Sequence, residues 1–148
     1  MAQPLTKLFV VVSMLMPAWA SAVEFRSISV PKAVVYDTPS AAGKKTFILG
    51  QGYPVEVLVN LGDWIKVRDA QGSLNWIEAK QLAAKRTVLV KSGQADVRQA
   101  AEAGSALIGK LDKDVVLDMV EPPVNGWVKV KHRDGMTGYV LASFLWGF

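Results

Sequence analysis

The side chains with most to offer a ligand are aromatic. Trp64, Trp76, Trp127 and Tyr139 each combine a large apolar face with a polar edge, a combination suited to lining a binding groove. Their spacing is shared. Gly62-Asp63-Trp64-Ile65-Lys66-Val67-Arg68 returns as Gly126-Trp127-Val128-Lys129-Val130-Lys131, and twelve residues beyond each Trp stands an aromatic-aliphatic pair, Trp76-Ile77 and Tyr139-Val140. A motif, an equal gap and a matching second motif indicate one fold used twice. A small barrel also needs large side chains to fill its interior, so ligand contact and packing are both open to these four residues.

Catalytic equipment is missing from the sequence. His132 is the only histidine; it stands among Lys131, Arg133 and Asp134 at a hairpin end and reads as a solvent-facing turn residue. There is no Gly-x-Ser-x-Gly elbow, phosphate loop or His-x-x-x-His pair. Gly50-Gln51-Gly52 is followed by Tyr53-Pro54 where a dinucleotide-binding turn would need a helix. Cysteine is absent, which removes a thiol nucleophile, a thiolate metal site, disulfide staples and lipid attachment through an N-terminal Cys. The expectation is a binding protein, not an enzyme, with no cofactor and no metal.

The elements that position the aromatics read as short strands. No window of a dozen residues from Ile28 onward carries a 3.6-residue period. In the first unit, strands are expected at Val34-Val35-Tyr36, Phe47-Ile48-Leu49, Val55-Glu56-Val57-Leu58-Val59, Trp64-Ile65-Lys66-Val67-Arg68 and Leu74-Asn75-Trp76-Ile77, separated by Pro-, Gly- and Asp-rich turns. Within the fourth of these, Ile65 and Val67 share one face and Trp64, Lys66 and Arg68 the other, the pattern of a barrel wall over an apolar interior. The second unit repeats the plan from Thr87-Val88-Leu89-Val90 to Ser143-Phe144-Leu145, with Val128 and Val130 on the inner face and a connecting turn, Glu121–Gly126, two residues longer than its counterpart. Domains are expected at 23–84 and 85–148. A unit of about 60 residues is marginal alone, so the two are expected to pack on each other.

Residues 1–22 read as a secretory signal peptide: Lys7, then Leu8-Phe9-Val10-Val11-Val12 and Met14-Leu15-Met16, then Pro17 and small-x-small sites at Ala18-Trp19-Ala20 and Ala20-Ser21-Ala22. The second site is preferred because the polar start of the mature chain, Glu24 and Arg26, follows at once. The apolar stretch is short of the ~20 residues that span a bilayer. Loss of Lys7 leaves 16 basic residues against 13 acidic, interspersed along the chain, so no nucleic-acid partner is indicated. Val140, Ala142, Phe144, Trp146 and Phe148 alternate as outer-membrane strands do, but the rest of the chain lacks a set of such strands and no stable membrane insertion is expected. Trp146 and Phe148 are expected to cover a barrel mouth or the contact between units.

At the second unit the residues resemble the bacterial SH3-like domain family. Ala95-Asp96-Val97-Arg98, Ile108-Gly109-Lys110-Leu111, Gly126-Trp127-Val128-Lys129-Val130, Asp134-Gly135-Met136-Thr137-Gly138-Tyr139-Val140 and Ser143-Phe144-Leu145 match its successive signatures in order and spacing. The first unit resembles the same family more loosely. The resemblance implies an all-β fold of two tandem barrels, each of five or six strongly bent strands, serving as a binding or targeting module. Proline-recognising relatives line their groove with a first-strand Tyr, a Trp and a Tyr-x-Pro-x-x-Tyr run. By that pattern the ligand-binding residues are Tyr36, Trp64 and Trp76 in one unit and Trp127, Tyr139 and Phe144 in the other. Glu78 and Gln81, and Arg98 and Leu141, depart from it, and Gly43-Lys44-Lys45 is basic where relatives are acidic. Proline-peptide recognition is therefore not expected. The expected partner is a carboxylate-bearing peptide of the cell wall (peptidoglycan), with an envelope protein as the alternative, approached through an apolar patch around Phe144 and Trp146; the expected location is the periplasm.

Overall fold

The computed structural model describes residues 22–148. The signal-peptide reading, apart from Ala22, lies outside the described residues. The first unit comprises β1 (Glu24–Ile28), β2 (Lys32–Tyr36), β3 (Lys45–Gly50), β4 (Pro54–Asn60), β5 (Trp64–Arg68), β6 (Leu74–Glu78) and β7 (Leu82–Ala83). The second comprises β8 (Thr87–Val90), β9 (Gln94–Arg98), β10 (Leu107–Asp112), β11 (Val116–Val124), β12 (Trp127–Lys131), β13 (Thr137–Leu141) and β14 (Leu145–Trp146). Both are seven-stranded antiparallel sheets with the same neighbour order, β3-β2-β6-β5-β4-β1-β7 and β10-β9-β13-β12-β11-β8-β14. A 3-10 turn precedes the last strand of each, Ala79–Gln81 and Ala142–Phe144. That turn breaks the alternating C-terminal pattern.

The five or six strands implied by the resemblance become seven for two reasons. Two-residue strands close each sheet. Glu24–Ile28, expected as a polar lead-in, is a strand that sends Phe25, Ser27 and Ile28 inward while Arg26 and Glu24 pair outside at 2.8 Å. One buried ring between two charged residues is too little alternation to announce a strand. The Glu121–Gly126 connection also differs from expectation. β11 runs to Val124, pairs Glu121 with Lys129 and Val124 with Trp127 through two register shifts, and turns at Asn125 and Gly126 with φ of 51° and 81°. The extra residues lengthen a bulged hairpin instead of a loop.

Each unit has its own core. Ile65, Val67 and Ile77 sit with Ile28, Val35 and Val55 in one, and Val128, Val130 and Val140 with Val88, Val97 and Leu117 in the other. Burial of each such side chain contributes about 1.5–3 kcal/mol. The β5–β6 and β12–β13 turns are built alike. Asp69 accepts from the backbone N–H groups of Gln71 and Ser73; His132 takes the same place in the second turn, where Asp134 accepts from Met136 N–H at 2.8 Å. His132 is thus a turn residue, but its side chain is only 20% exposed, with Nδ1 at 2.9 Å from Asp134 Oδ1, because the ring folds back onto the turn.

One position differs between the repeats in a coupled way. In unit one the Thr46 hydroxyl donates to Oδ1 of buried Asn75 at 2.6 Å. Their counterparts in unit two are Ile108 and Gly138, and a Cβ on Gly138 would lie 2.7 Å from Ile108 Cδ1. A polar pair in one barrel is a large-small apolar pair in the other.

The units meet where β1 and β4 of the first approach β8 and β14 of the second. All four residues of β8 are buried: Val88 and Val90 belong to the unit-two core, whereas Leu89 and Thr87 lie outside it. The Thr87 hydroxyl donates to the Gly52 carbonyl at 2.6 Å. Phe25 is buried yet belongs to neither core, and Trp146 meets it edge-on, ring centres 5.1 Å apart at 87°. Arg86 lies 5.6 Å over the same ring and donates to the Gly147 carbonyl at 3.0 Å. Gly147, at φ 126°, passes so close that a Cβ there would stand 3.1 Å from Pro54 Cβ. Trp146 thus serves the contact between units, as its sequence position suggested.

Tyr53 gives this fold an alkaline sensitivity. Its hydroxyl accepts from Ala70 N–H at 3.1 Å and lies 3.3 Å from Gln71 Oε1. Burial raises its pKa, the Ala70 hydrogen bond opposes the rise, and the charges of Asp69 and Asp114 add to it. Because the folded state favours the protonated phenol, the Tyr53 contribution to stability is intact below the ordinary value of about 10 and is lost as pH climbs through the raised one. A tyrosinate absorbance titration should lose a transition above the usual tyrosine range in Tyr53→Phe; an unchanged profile would contradict this.

Candidate functional site

Each unit carries a groove beside the repeated Trp. In unit one, Trp64 opens β5, and the backbone carbonyl of Asp63 immediately before it holds the 3-10 turn by accepting from Ala79 N–H at 2.8 Å. Opposite stands the loop after β2, closed by Gly43 N–H to the Ser40 carbonyl and by Lys44 N–H to Asp37 Oδ1. Between the two is a groove of about 500 Å³, bordered by Pro39, Ser40, Asp63, Trp64, Glu78 and Lys80. Trp64 is half-buried and held in place by Tyr36, which meets it edge-on at 5.5 Å and 85°.

The expected aromatics divide by role. Tyr36, 7% exposed, supports Trp64 from beneath and does not border the groove. Trp76 lies opposite Tyr36 in the β2–β6 ladder and opposite Lys66 in the β5–β6 ladder, with Lys66 Nζ 5.9 Å from its ring centre. It flanks Trp64 on the same sheet face, outside the groove. In unit two, Trp127 and Tyr139 do meet in one groove of about 260 Å³, with Glu121, Pro122, Asn125 and Lys129. Lys129 Nζ is 5.9 Å from the Tyr139 ring centre and 3.5 Å from Glu121 Oε1. The β9–β13 register places Arg98 opposite Tyr139, where Tyr36 stands opposite Trp76. Its guanidinium turns to Asp96 at 3.0 Å and to the Ser105 carbonyl at 3.2 Å, bracing the loop after β9. Phe144 packs on the unit-two core and borders neither groove.

Two expectations about surface are corrected. The apolar patch does not form around Phe144 and Trp146, since the first packs on a core and the second on Phe25; adjacent exposed apolar pairs lie instead at Phe47-Ile48 and Leu107-Ile108. Lys44, at the end of the loop, and Lys45, which begins β3, do not border the groove, whose own charges are two carboxylates and one ammonium. Lys80 pairs with Glu78 at 3.0 Å, and no ion pair among the described residues engages Asp63. The groove therefore favours a cationic group over a carboxylate. Asp63, Ser40, Lys80, Glu121 and Lys129 were not singled out by sequence. Asp63 had a readable signal, its place directly before the repeated Trp.

Among the described residues no cluster of three His, Asp or Glu side chains is placed to hold a metal ion, and no helix is long and apolar enough to cross a membrane. Residues 29–83 and residues 93–145 each match a family model described as bacterial SH3 domain. No curated protein matches. Similar solved structures include NlpC2 from Trichomonas vaginalis, at 17% identity and TM-score 0.39 over 84% of this chain and 48% of that one. NlpC1 from the same organism is similar at 15% identity and TM-score 0.39, over 91% and 50%. An NlpC/P60 family protein from Bacillus cereus is similar at 14% identity and TM-score 0.39, over 83% and 56%. The chain spans about half the length of these proteins.

Proposed function

Because both halves of this chain belong to the bacterial SH3 domain family, we propose that it is an exported, non-enzymatic module that binds the peptide part of the cell wall in the bacterial envelope. The observation that carries this reading is the recurrence, on the same strand of both barrels, of a half-buried Trp bordering a groove with charged walls. The ring supplies apolar contact, and the charges select an extended peptide with ionic ends. In groove one, Asp63 beside Trp64 suits a free amine of a stem peptide; in groove two, Lys129 beside Tyr139 suits a carboxylate. The leader-like residues 1–22 support an exported, periplasmic setting.

The test is amide-shift mapping of the purified protein with soluble muropeptides, alongside co-sedimentation with purified sacculi at low salt. Shifts are expected at Ser40, Asp63, Trp64 and Lys80. Trp64→Ala is expected to weaken binding by about thirtyfold, the effect of losing a central aromatic anchor. Asp63→Asn is expected to weaken binding by roughly threefold to tenfold, the worth of a partly exposed charged contact, and to lose that effect when the peptide amine is acetylated. Absence of both shifts and co-sedimentation would remove the cell-wall reading. A protein-binding role in an envelope complex has one observation in its favour, the bare apolar edge at Phe47 and Ile48, which borders neither groove.

A further inference from the structure

β3 is the outermost strand of its sheet and is paired only with β2. Phe47 and Ile48 on it are 53% and 65% exposed, and with Val34, Thr46 and the lysine at its end, Lys45, they line a shallow, mainly apolar depression of about 560 Å³. An exposed apolar edge strand offers unpaired backbone groups to any extended chain, and proteins ordinarily blunt it.

Unit two blunts this same edge at two positions. Val35 faces Phe47 and Val34 faces Ile48 in the β2–β3 ladder; the equivalent pairs in the β9–β10 ladder are Val97 with Gly109 and Asp96 with Lys110. The exposed ring has become a glycine and the exposed Ile a lysine. Met136 also lies over Gly109, so close that a Cβ there would stand 2.6 Å from its sulfur, whereas the matching residue of unit one is Ser73. β10 still exposes Leu107 and Ile108, at 45% and 42%, so the repeats differ at two positions of the edge: a glycine under Met136 and a lysine in one, Phe47 and Ile48 in the other.

We propose that a second copy of this chain covers that edge, β3 pairing antiparallel with β3 about a two-fold axis at Ile48. A two-fold axis normal to a sheet preserves which face each side chain points to, so the axis passes through one residue and its own mate. With the axis at Ile48, Ile48 meets Ile48, Phe47 meets the copy's Leu49 and Thr46 meets Gly50, and the ladder ends there because Gln51 lies in the turn after β3. Apolar residues oppose apolar residues, and no like charges face each other. Moving the axis to Phe47 would set Lys45 against Leu49, so the strand is self-complementary in one register. A foreign peptide would need no such match. A ribbon of this size lies below the standard protein interface, so the dimer is weak and concentration-dependent.

Sedimentation equilibrium on the purified protein is the first arm. The average mass should climb toward twice the monomer between micromolar and about millimolar concentration. Ile48→Lys, which copies Lys110, should raise the dissociation constant at least tenfold with the circular dichroism spectrum unchanged. The second arm uses the absence of native cysteine. Thr46→Cys mixed with Gly50→Cys, both within β3, should form a disulfide that neither variant forms alone, because only the mixture sets the two thiols opposite each other. A monomer mass throughout would overturn the proposal. So would Thr46→Cys cross-linking alone as readily as the mixture, or saturable docking of a foreign extended peptide on a chain that stays monomeric.

Discussion

Gly138→Asn should destabilise the chain by about 3 kcal/mol, although Asn is the residue unit one carries at the same place. A Cβ on Gly138 would stand 2.6 Å from Val97 Cγ1, 2.7 Å from the Arg98 carbonyl oxygen and 2.7 Å from Ile108 Cδ1. Two of these three have nowhere to go. Val97 is buried in the core, and the carbonyl belongs to the β9–β13 ladder. Ile108→Thr made together with Gly138→Asn should recover part of the loss, since it withdraws the Cδ1 and supplies the hydroxyl that Thr46 offers Asn75. Denaturant midpoints of the four chains close a double-mutant cycle, with an expected coupling of about 1 kcal/mol or more. Strict additivity would show that the Thr46–Asn75 and Ile108–Gly138 pairs do not compensate. A Gly138→Asn midpoint equal to that of the parent would show that β13 can move aside.

Phe25→Ala should cost about 3–5 kcal/mol and uncouple the two units. The ring lies outside both cores, and its burial comes from the unit contact: Trp146 edge-on at 5.1 Å and Arg86 above it at 5.6 Å. Removing it exposes a Trp face and leaves a guanidinium whose Nε is already buried without a partner. A single thermal transition should split into two, and the near-ultraviolet signal of Trp146 should diminish before the rest. Phe25→Leu, which keeps most of the apolar volume, should retain one transition. If Phe25→Ala melts as a single step at the parental temperature, the contact between units is not what Phe25 stabilises.

Much of the architecture was legible because the barrel wall is written as alternation. Ile65 and Val67, and Val128 and Val130, point inward as their spacing requires, and the repeated Gly-x-Trp motif marks equivalent strands of two sheets with identical order. What was hidden depended on partners distant in sequence. Glu24–Ile28 becomes a strand through Val55 and Ala83, not through its own pattern. β8 lost its alternation because unit one covers its second face. The site was legible by halves. Trp64, Trp127 and Tyr139 do border grooves, but Tyr36 and Phe144 are large residues used for packing, and a sequence does not separate the two uses of a ring. The charged walls come from loops and turns, where no periodicity exists to read.

The paired substitution between the repeats also bears on heredity. Two copies of one module in a single reading frame invite unequal exchange at the level of the gene, with a hybrid barrel as the product. A crossover falling between the codons for Thr46 and Asn75 would unite Thr46 with glycine in one hybrid and Ile108 with asparagine in the other. The first leaves the hydroxyl only its longer bond to the Val35 carbonyl, at 3.1 Å, and the second forces a side chain into occupied space. The second hybrid would fold poorly, so exchange in that direction is disfavoured and the two modules are freer to diverge than to homogenise.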